Sequence, residues 1–95
     1  MFDRILNQMR EKVRTRQYVM TIHAEEEMDD DGLTIFDVER CILTGQIIER
    51  QRDRATAEWK YIVQSQHTAR SEVKVHVVSK ISPTSKLVFL TVYVE

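Results

Sequence analysis

The chain of 95 residues has few of the residues that interrupt or crosslink a fold. Its two glycines and single proline argue against flexible linkers and low-complexity segments. Its single cysteine, Cys41, excludes an internal disulfide and a cysteine-based metal cluster. No apolar run is long enough to span a membrane, and the charged start lacks the apolar stretch of a secretory signal. We therefore expect one domain over residues 1–95, located in a reducing cytoplasm.

Apolar residues make up 42% of the chain and charged residues 31%, which is the composition of a folded domain with one modest core. The net charge of −1 hides an uneven distribution. Residues 1–22 hold five basic and two acidic groups, whereas residues 23–39 hold eight acidic groups and no basic one. Nucleic-acid-binding proteins usually have a clear basic surplus, and this chain has one only regionally.

The first half of the chain has the periodicity of helices. Ile5, Met9 and Val13 recur every four residues and predict an amphipathic helix over residues 2–15, with a basic face that is either solvated or contacts phosphates. Residues 18–22 predict a short strand, and residues 24–31 a short acidic helix ended by a glycine. Thr34 and the carboxylate three residues later predict the cap of a helix over 35–44, which a second glycine closes.

The second half alternates as strands do. Extended segments begin near residue 47 and cover 58–65, 72–79 and 86–94, and the connectors 50–57, 66–71 and 82–85 are short and polar. The last segment is apolar on both sides, with residues 87, 89, 91 and 93 on one face and 88, 90, 92 and 94 on the other. We therefore expect that strand at the centre of the sheet. The predicted fold is α+β, with N-terminal helices packed on one antiparallel meander sheet.

Two features that could carry chemistry fail simple tests. If Gly32 is aligned with the glycine of a calcium-binding loop, Val38 falls where that loop needs a bidentate glutamate, so the acidic run is better interpreted as a solvated face or a docking site for a basic partner. Cys41 lies beside Ile42 and Leu43 in an apolar helix, which favours packing over a reactive thiolate. No metal or cofactor is expected.

The histidines are the stronger candidates. His23 lies where a strand passes into a helix, and His76 lies on a predicted strand, as do Lys60 and Tyr93. Cleavage of RNA needs a base for the 2′-hydroxyl, cations for the phosphate and an acid for the leaving oxygen. These side chains could supply such groups if the strand register, which the sequence does not specify, brings them together near His23.

Several motifs in order give this chain a resemblance to a known family. They are Tyr18-Val-Met-Thr-Ile-His23-Ala-Glu-Glu-Glu-Met28, Asp31-Gly-Leu-Thr-Ile35, Ile42-Leu-Thr-Gly45-Gln-Ile-Ile-Glu49, Lys74-Val-His76-Val-Val and Thr91-Val-Tyr93. Together they resemble the domain-of-unknown-function family 4258 of bacteria and archaea, over roughly residues 18–95. The chain departs from the family in having Glu27 where an arginine is frequent.

This resemblance implies a fold similar to the RelE/ParE/BrnT-like toxins, many of which cleave RNA and are neutralised by an antitoxin. The first hypothesis is accordingly a RelE-like toxin-type domain, either a metal-independent ribonuclease or a degenerate toxin, with RNA and an antitoxin-like protein as partners. The candidate catalytic residues are His23, His76 and Tyr93, and the candidate substrate-binding residues are Lys60, Arg70 and Thr91. The alternative is a non-enzymatic protein-binding module that acts as a homodimer.

Overall fold

The computed structural model describes residues 1–65 and 73–95. Within these residues the chain forms three α-helices and five β-strands, which confirms the α+β class. The helices are α1 (Asp3–Arg14), α2 (Ile22–Asp30) and α3 (Ile35–Thr44). The strands are β1 (Tyr18–Met20), β2 (Gln46–Arg52), β3 (Trp59–Gln64), β4 (Val75–Ile81) and β5 (Leu87–Val94).

Local capping sets the ends of the helices. The side chain of Thr34 accepts a hydrogen bond from the Asp37 amide and the Asp37 carboxylate accepts one from the Thr34 amide, so the predicted start of α3 is confirmed. The expectation that β1 continues to Ile22 is wrong. The Thr21 hydroxyl accepts a hydrogen bond from the Ala24 amide, and this cap makes Ile22 the first residue of α2.

The sheet is mixed, with strand order β1-β5-β4-β3-β2. Strands β2 to β5 form the predicted antiparallel meander, but β1 pairs parallel to β5, so the expectation of a wholly antiparallel sheet is wrong at that edge. Because β1 is short and distant in sequence from β5, no tight turn joins the two strands and dictates whether they pair parallel or antiparallel. Because β1 adds a strand beyond β5, β5 is interior as expected, but the central strand is β4.

A β-bulge in β5 changes which side chains reach the core. Val78 pairs with Thr91 and Ser79 with Phe89, which leaves Leu90 without an opposite residue. The alternation expected for β5 is therefore wrong after Phe89. Leu87, Phe89 and Val92 are fully buried in the core, whereas Thr91 and Tyr93 pair with residues on the other face. A second bulge at Ile48 leaves that side chain exposed while Ile47 packs against the core.

The core lies between one face of the sheet and the helices α1 and α3. It includes Met9 and Val13 from α1, Val38 and Ile42 from α3, and Val63, Val75 and Val77 from the sheet. Ala24 of α2 joins the same cluster. The opposite side of the sheet carries the side chains of His76 and Val78, which are buried, and of Thr91 and Tyr93, which are partly exposed. In the described part of the chain, the core residues of the helices do not lie on this side. We call this side the open face.

Helix α2 continues the sheet edge where β1 stops. The Thr21 amide donates to the carbonyl of Phe89 at 3.1 Å, and the Thr21 hydroxyl donates to the carbonyl of Leu90 at 3.2 Å. The Val92 amide donates to Glu27 Oε1 at 3.1 Å. Backbone groups of β5 that β1 is too short to reach are thus bonded by α2, which fixes this helix beside the open face.

Candidate functional site

The register between β4 and β5 brings two candidate residues together on the open face. His76 and Tyr93 are directly opposite each other, and their rings stack in parallel with centroids 4.6 Å apart and an interplanar angle of 1°. Gln64 is opposite His76 on β3, so these three side chains form a row across three strands. Cross-strand neighbours of this kind are positioned by backbone pairing, which gives the row a fixed geometry.

His76 is the most enclosed member of this row, with 1% of its surface exposed. Its Nε2 lies 2.9 Å from the Gln64 amide nitrogen, and its Nδ1 is buried with no hydrogen-bond partner among residues 1–65 and 73–95. Because an amide nitrogen only donates, Nε2 is the acceptor in this contact. With so little of its surface exposed, this ring contacts neighbouring side chains rather than solvent.

Tyr93 is less enclosed than His76. Its partial burial raises the pKa of its hydroxyl above the usual value, and the negative charges of Glu95 and Glu49 add to that shift. The phenol therefore retains its proton throughout the neutral range. A protonated hydroxyl beside an open surface can donate a hydrogen bond or a proton.

His23 lies at the start of α2 and, with a side chain 66% exposed, is open to solvent. Its Nε2 is 3.2 Å from Glu27 Oε1, one helical turn later. The same carboxylate oxygen accepts the Val92 amide. Glu27 therefore links His23 to the backbone segment that immediately precedes Tyr93, and its carboxylate restricts the orientation of the imidazole.

The three predicted substrate-binding residues have different positions. Thr91 is on the open face, two residue pairs along the strands from the His76–Tyr93 pair. Lys60 is on β3, four residues from Gln64, which corresponds to about 13 Å along the strand. Lys60 therefore cannot contact the same atoms as Tyr93. Arg70 lies outside the described residues.

Other polar groups have structural roles. Arg10 donates from Nε to the carbonyl of Ile42 at 3.1 Å and from Nη2 to the carbonyl of Gly45 at 2.9 Å, so this part of the basic helix face satisfies the end of α3. Cys41 is buried, and its thiol is 3.4 Å from the carbonyl oxygens of Val63 and Val75. Burial raises the pKa of the Cys41 thiol to about 12, as expected for a packing residue.

Sequence reasoning missed two groups of residues around these candidates. Gln64 bonds His76 from another strand, which only the tertiary structure shows. Glu27 bonds His23 from the next turn of α2, and the spacing of four residues was the signal that could have identified it. Arg50 and Arg52 stack on Trp59, although residues 50–57 were expected to be a connector. That expectation is wrong because β2 continues to Arg52. The interleaving of basic and aromatic residues was the signal that could have identified this second group.

Over residues 1–65 and 73–95, no three histidine, cysteine, aspartate or glutamate side chains come together in a way that could hold a metal ion. In the same part of the chain, no helix has the length and apolar character needed to cross a membrane.

The chain is thus a small α+β domain in which α2 completes the edge of a mixed sheet and a histidine and a tyrosine stack on the open face. The family model for the domain of unknown function DUF4258 matches residues 20–94. The chain belongs to this family, and the match begins at the last residue of β1 and includes α2, α3 and the strands β2 to β5. No curated protein and no solved structure gives a match.

Proposed function

We propose that this chain is a RelE-like toxin-type domain that cleaves RNA without a metal ion. The observation that supports the proposal is the placement of an exposed, carboxylate-oriented histidine beside the segment that precedes a protonated tyrosine. Glu27 bonds both His23 and the Val92 amide, and Tyr93 follows directly. Cleavage by the 2′-hydroxyl requires a base and an acid, and in this proposal His23 is the base and Tyr93 the acid.

In the proposed reaction His23 removes the proton from the 2′-hydroxyl of a nucleotide as its oxygen attacks the adjacent phosphorus. The bond from phosphorus to the 5′-oxygen breaks as the Tyr93 hydroxyl gives that oxygen its proton. The products are a 2′,3′-cyclic phosphate and a free 5′-hydroxyl. Thr91 donates a hydrogen bond to the phosphate, and Lys60 and Arg70 neutralise phosphates of flanking nucleotides.

His76 is a positioning residue in this scheme. Its burial removes it from direct contact with RNA, and its ring is stacked on Tyr93 and bonded to Gln64. Its role is to fix the ring of Tyr93 in the position from which the hydroxyl donates. A ring of similar shape at position 76 should therefore preserve most of the activity.

Cleavage of a labelled single-stranded RNA by the purified chain tests the assignment. We expect H23A and Y93F each to lower the rate by at least about 100-fold, because a positioned acid or base contributes roughly 10²–10⁴-fold. H23A combined with H76A should also abolish growth inhibition on expression in bacteria. The substitution E27Q should lower the rate, whereas E25Q on the same helix is the matched control and should not.

The role of His76 has its own comparison. H76F should retain activity within about tenfold of the wild type, and H76A should lose it, whereas an acid–base role would abolish activity in both. The product end should be a cyclic phosphate, and RNA with a 2′-deoxy nucleotide at the cleavage position should be inert. If the wild-type chain neither cleaves RNA nor slows growth, the ribonuclease proposal is wrong.

A second candidate function is a non-enzymatic homodimer. Its support is the exposed apolar surface at the β1 edge, where Val19 is 45% and Ile22 is 75% exposed. Val19 also pairs with Val88 on β5, which extends this surface onto the sheet. Sedimentation at low and high salt should show a dimer that V19K dissociates and I48K, at an exposed isoleucine of β2, does not. A monomer under both conditions would contradict this candidate.

A further inference from the structure

The hairpin formed by β2 and β3 carries a cluster of two arginines and a tryptophan. Trp59 is directly opposite Arg52, and Arg50 is opposite Tyr61, the next residue of β3 on the same side. The Arg50 guanidinium carbon lies 4.0 Å from the centroid of the Trp59 ring, and that of Arg52 lies 5.2 Å from it. We call Arg50, Arg52 and Trp59 the hairpin cluster.

The guanidinium groups of this cluster are not paired with the carboxylates nearest to them in sequence. Over residues 1–65 and 73–95, neither Arg50 nor Arg52 has an ion-pair partner. The nearby carboxylates are already engaged. Glu49 accepts from the side chain of Gln51, Asp53 accepts from two backbone amides of the hairpin loop, and Glu58 is paired with Lys80 at 3.0 Å. The two guanidinium groups therefore remain available to an anionic ligand.

Trp59 also lines a shallow pocket of about 240 Å³. Its other walls are the apolar or aromatic residues Ile5, Ala57, Tyr61 and Ile81, together with Glu58, whose carboxylate is paired with Lys80. Arg50 and Arg52 come from β2, which borders β3 on the side away from β4, so Trp59 lies between the arginines and the pocket wall formed by Ile81. A flat apolar group could enter the pocket against Trp59 while a negatively charged group attached to it reached the guanidinium groups. This volume suits a single ring system rather than a larger ligand.

We propose that the hairpin cluster binds single-stranded nucleic acid, with a base stacked on Trp59 and the adjoining phosphates held by Arg50 and Arg52. Every base has a face that stacks on an aromatic ring, and guanidinium groups bind phosphate oxygens in pairs. In a duplex the base faces are covered, so Trp59 selects single strands. The choice of RNA as the physiological strand rests on the proposed function, whereas the stacking and phosphate contacts do not.

This site is separate from the histidine–tyrosine row. Trp59 and Gln64 are at opposite ends of β3, about 17 Å apart along the strand. Trp59 also lies on the opposite side of the sheet from Lys60, its neighbour in sequence. The hairpin cluster therefore binds part of a strand distant from any cleaved bond, and it contributes affinity rather than chemistry.

Binding of a fluorescein-labelled oligothymidylate, measured by anisotropy, tests the site without cleavage, because this strand has no 2′-hydroxyl. Trp59 is the only tryptophan, so quenching of intrinsic fluorescence reports contact at the site itself. We expect R50Q/R52Q to weaken binding at least about tenfold and to reduce the slope of log K against log salt by about 1.4, at about 0.7 per phosphate contact. W59A should also weaken binding about tenfold.

The double variant R4Q/R14Q removes the same charge from the exposed side of α1 and is the matched control. It should change the affinity less than about twofold, and circular dichroism should show that all variants are folded. If W59A does not fold, W59L provides the same test. Equal weakening by both double variants, no binding by the wild type at low salt, or binding of thymidine monophosphate as tight as that of the oligomer would each overturn the hairpin proposal.

Different results would contradict the ribonuclease proposal and the hairpin-cluster proposal. Hairpin-dependent binding without cleavage of RNA would support the hairpin cluster and contradict the ribonuclease. Cleavage that depends on His23, together with binding that R50Q/R52Q leaves unchanged, would overturn the hairpin cluster alone.

Discussion

Replacing Gly45 with alanine should destabilise the fold far more than the same replacement at Gly32. A Cβ atom at position 45 would lie 2.5 Å from the carbonyl oxygens of Cys41 and Gln64 and 3.0 Å from the Gln64 carbonyl carbon. All three are backbone atoms, so no side chain can rotate away. An ordinary contact begins at 3.4 Å, so the Gln64 carbonyl at the end of β3 and the Cys41 carbonyl in the last turn of α3 would each have to move away by about 0.9 Å.

The size of the effect follows from the cost of overpacking. Inserting a methyl group into a closely packed site costs about 1–3 kcal/mol. The upper end applies here, because the shift also disturbs the hydrogen bond from Arg10 to the Gly45 carbonyl. Gly32 has φ of +67°, and a Cβ atom added there would meet nothing within 4 Å, so G32A incurs only the left-handed backbone penalty of about 1 kcal/mol.

The comparison between the two variants isolates the contact. Both substitutions restrict the unfolded chain by a similar amount, so that gain of about 0.4–1 kcal/mol cancels in the difference. We expect G45A to be less stable than G32A by about 2 kcal/mol, which corresponds to a Tm lower by roughly 8–16 °C for a domain of this size. Thermal and urea unfolding followed by circular dichroism measure the difference. A G45A variant as stable as G32A would refute the reasoning.

Three further predictions concern buried or bonded groups. Cys41 should not react with a thiol reagent at neutral pH in the native state and should react fully in guanidinium chloride, because burial holds its pKa at about 12; rapid native labelling would contradict its burial. R10M should cost about 2 kcal/mol in urea unfolding because two carbonyls at the end of α3 lose a charged donor, whereas R14M at an exposed position should change stability little. Burial and the hydrogen bond to Glu39 raise the Tyr18 pKa to about 12 from 10.0, so its contribution to stability is complete below pH 10 and is lost as the pH rises towards 12. Y18F should therefore lose less stability than the wild type between pH 9 and 12, and parallel losses would contradict this assignment.

The helical half was predictable because its signals are local. The α3 boundaries follow from a capping threonine, a carboxylate three residues later and an apolar period, all within the helix itself. Gly32 likewise ends α2 by adopting a left-handed conformation, as a glycine after a helix commonly does. Gly45 is different. Its backbone is extended, with φ of −87°, and it is needed because the backbone of Gln64 passes too close for any side chain.

The sheet half was less predictable because pairing depends on residues far apart in sequence. Neither the parallel pairing of β1 nor the bulge at Leu90 is indicated by the residues around it. The bulge nevertheless decides that Thr91 and Tyr93 lie on the open face. An uninterrupted alternation would have kept both residues on the side of Phe89, in the core. The meeting of His76 with Tyr93 is therefore a consequence of register and of one extra residue in β5.

The sequence by itself determined the class of the domain, the three helices, most of the meander and the set of candidate side chains. These depend on periodicity, capping and composition, which act over a few residues. Only the tertiary structure decided that Glu27 joins His23 to β5, that His76 is enclosed while His23 is exposed, and that two arginines stack on Trp59. Each of these depends on the distance between side chains from different elements, and a single sequence does not contain that distance.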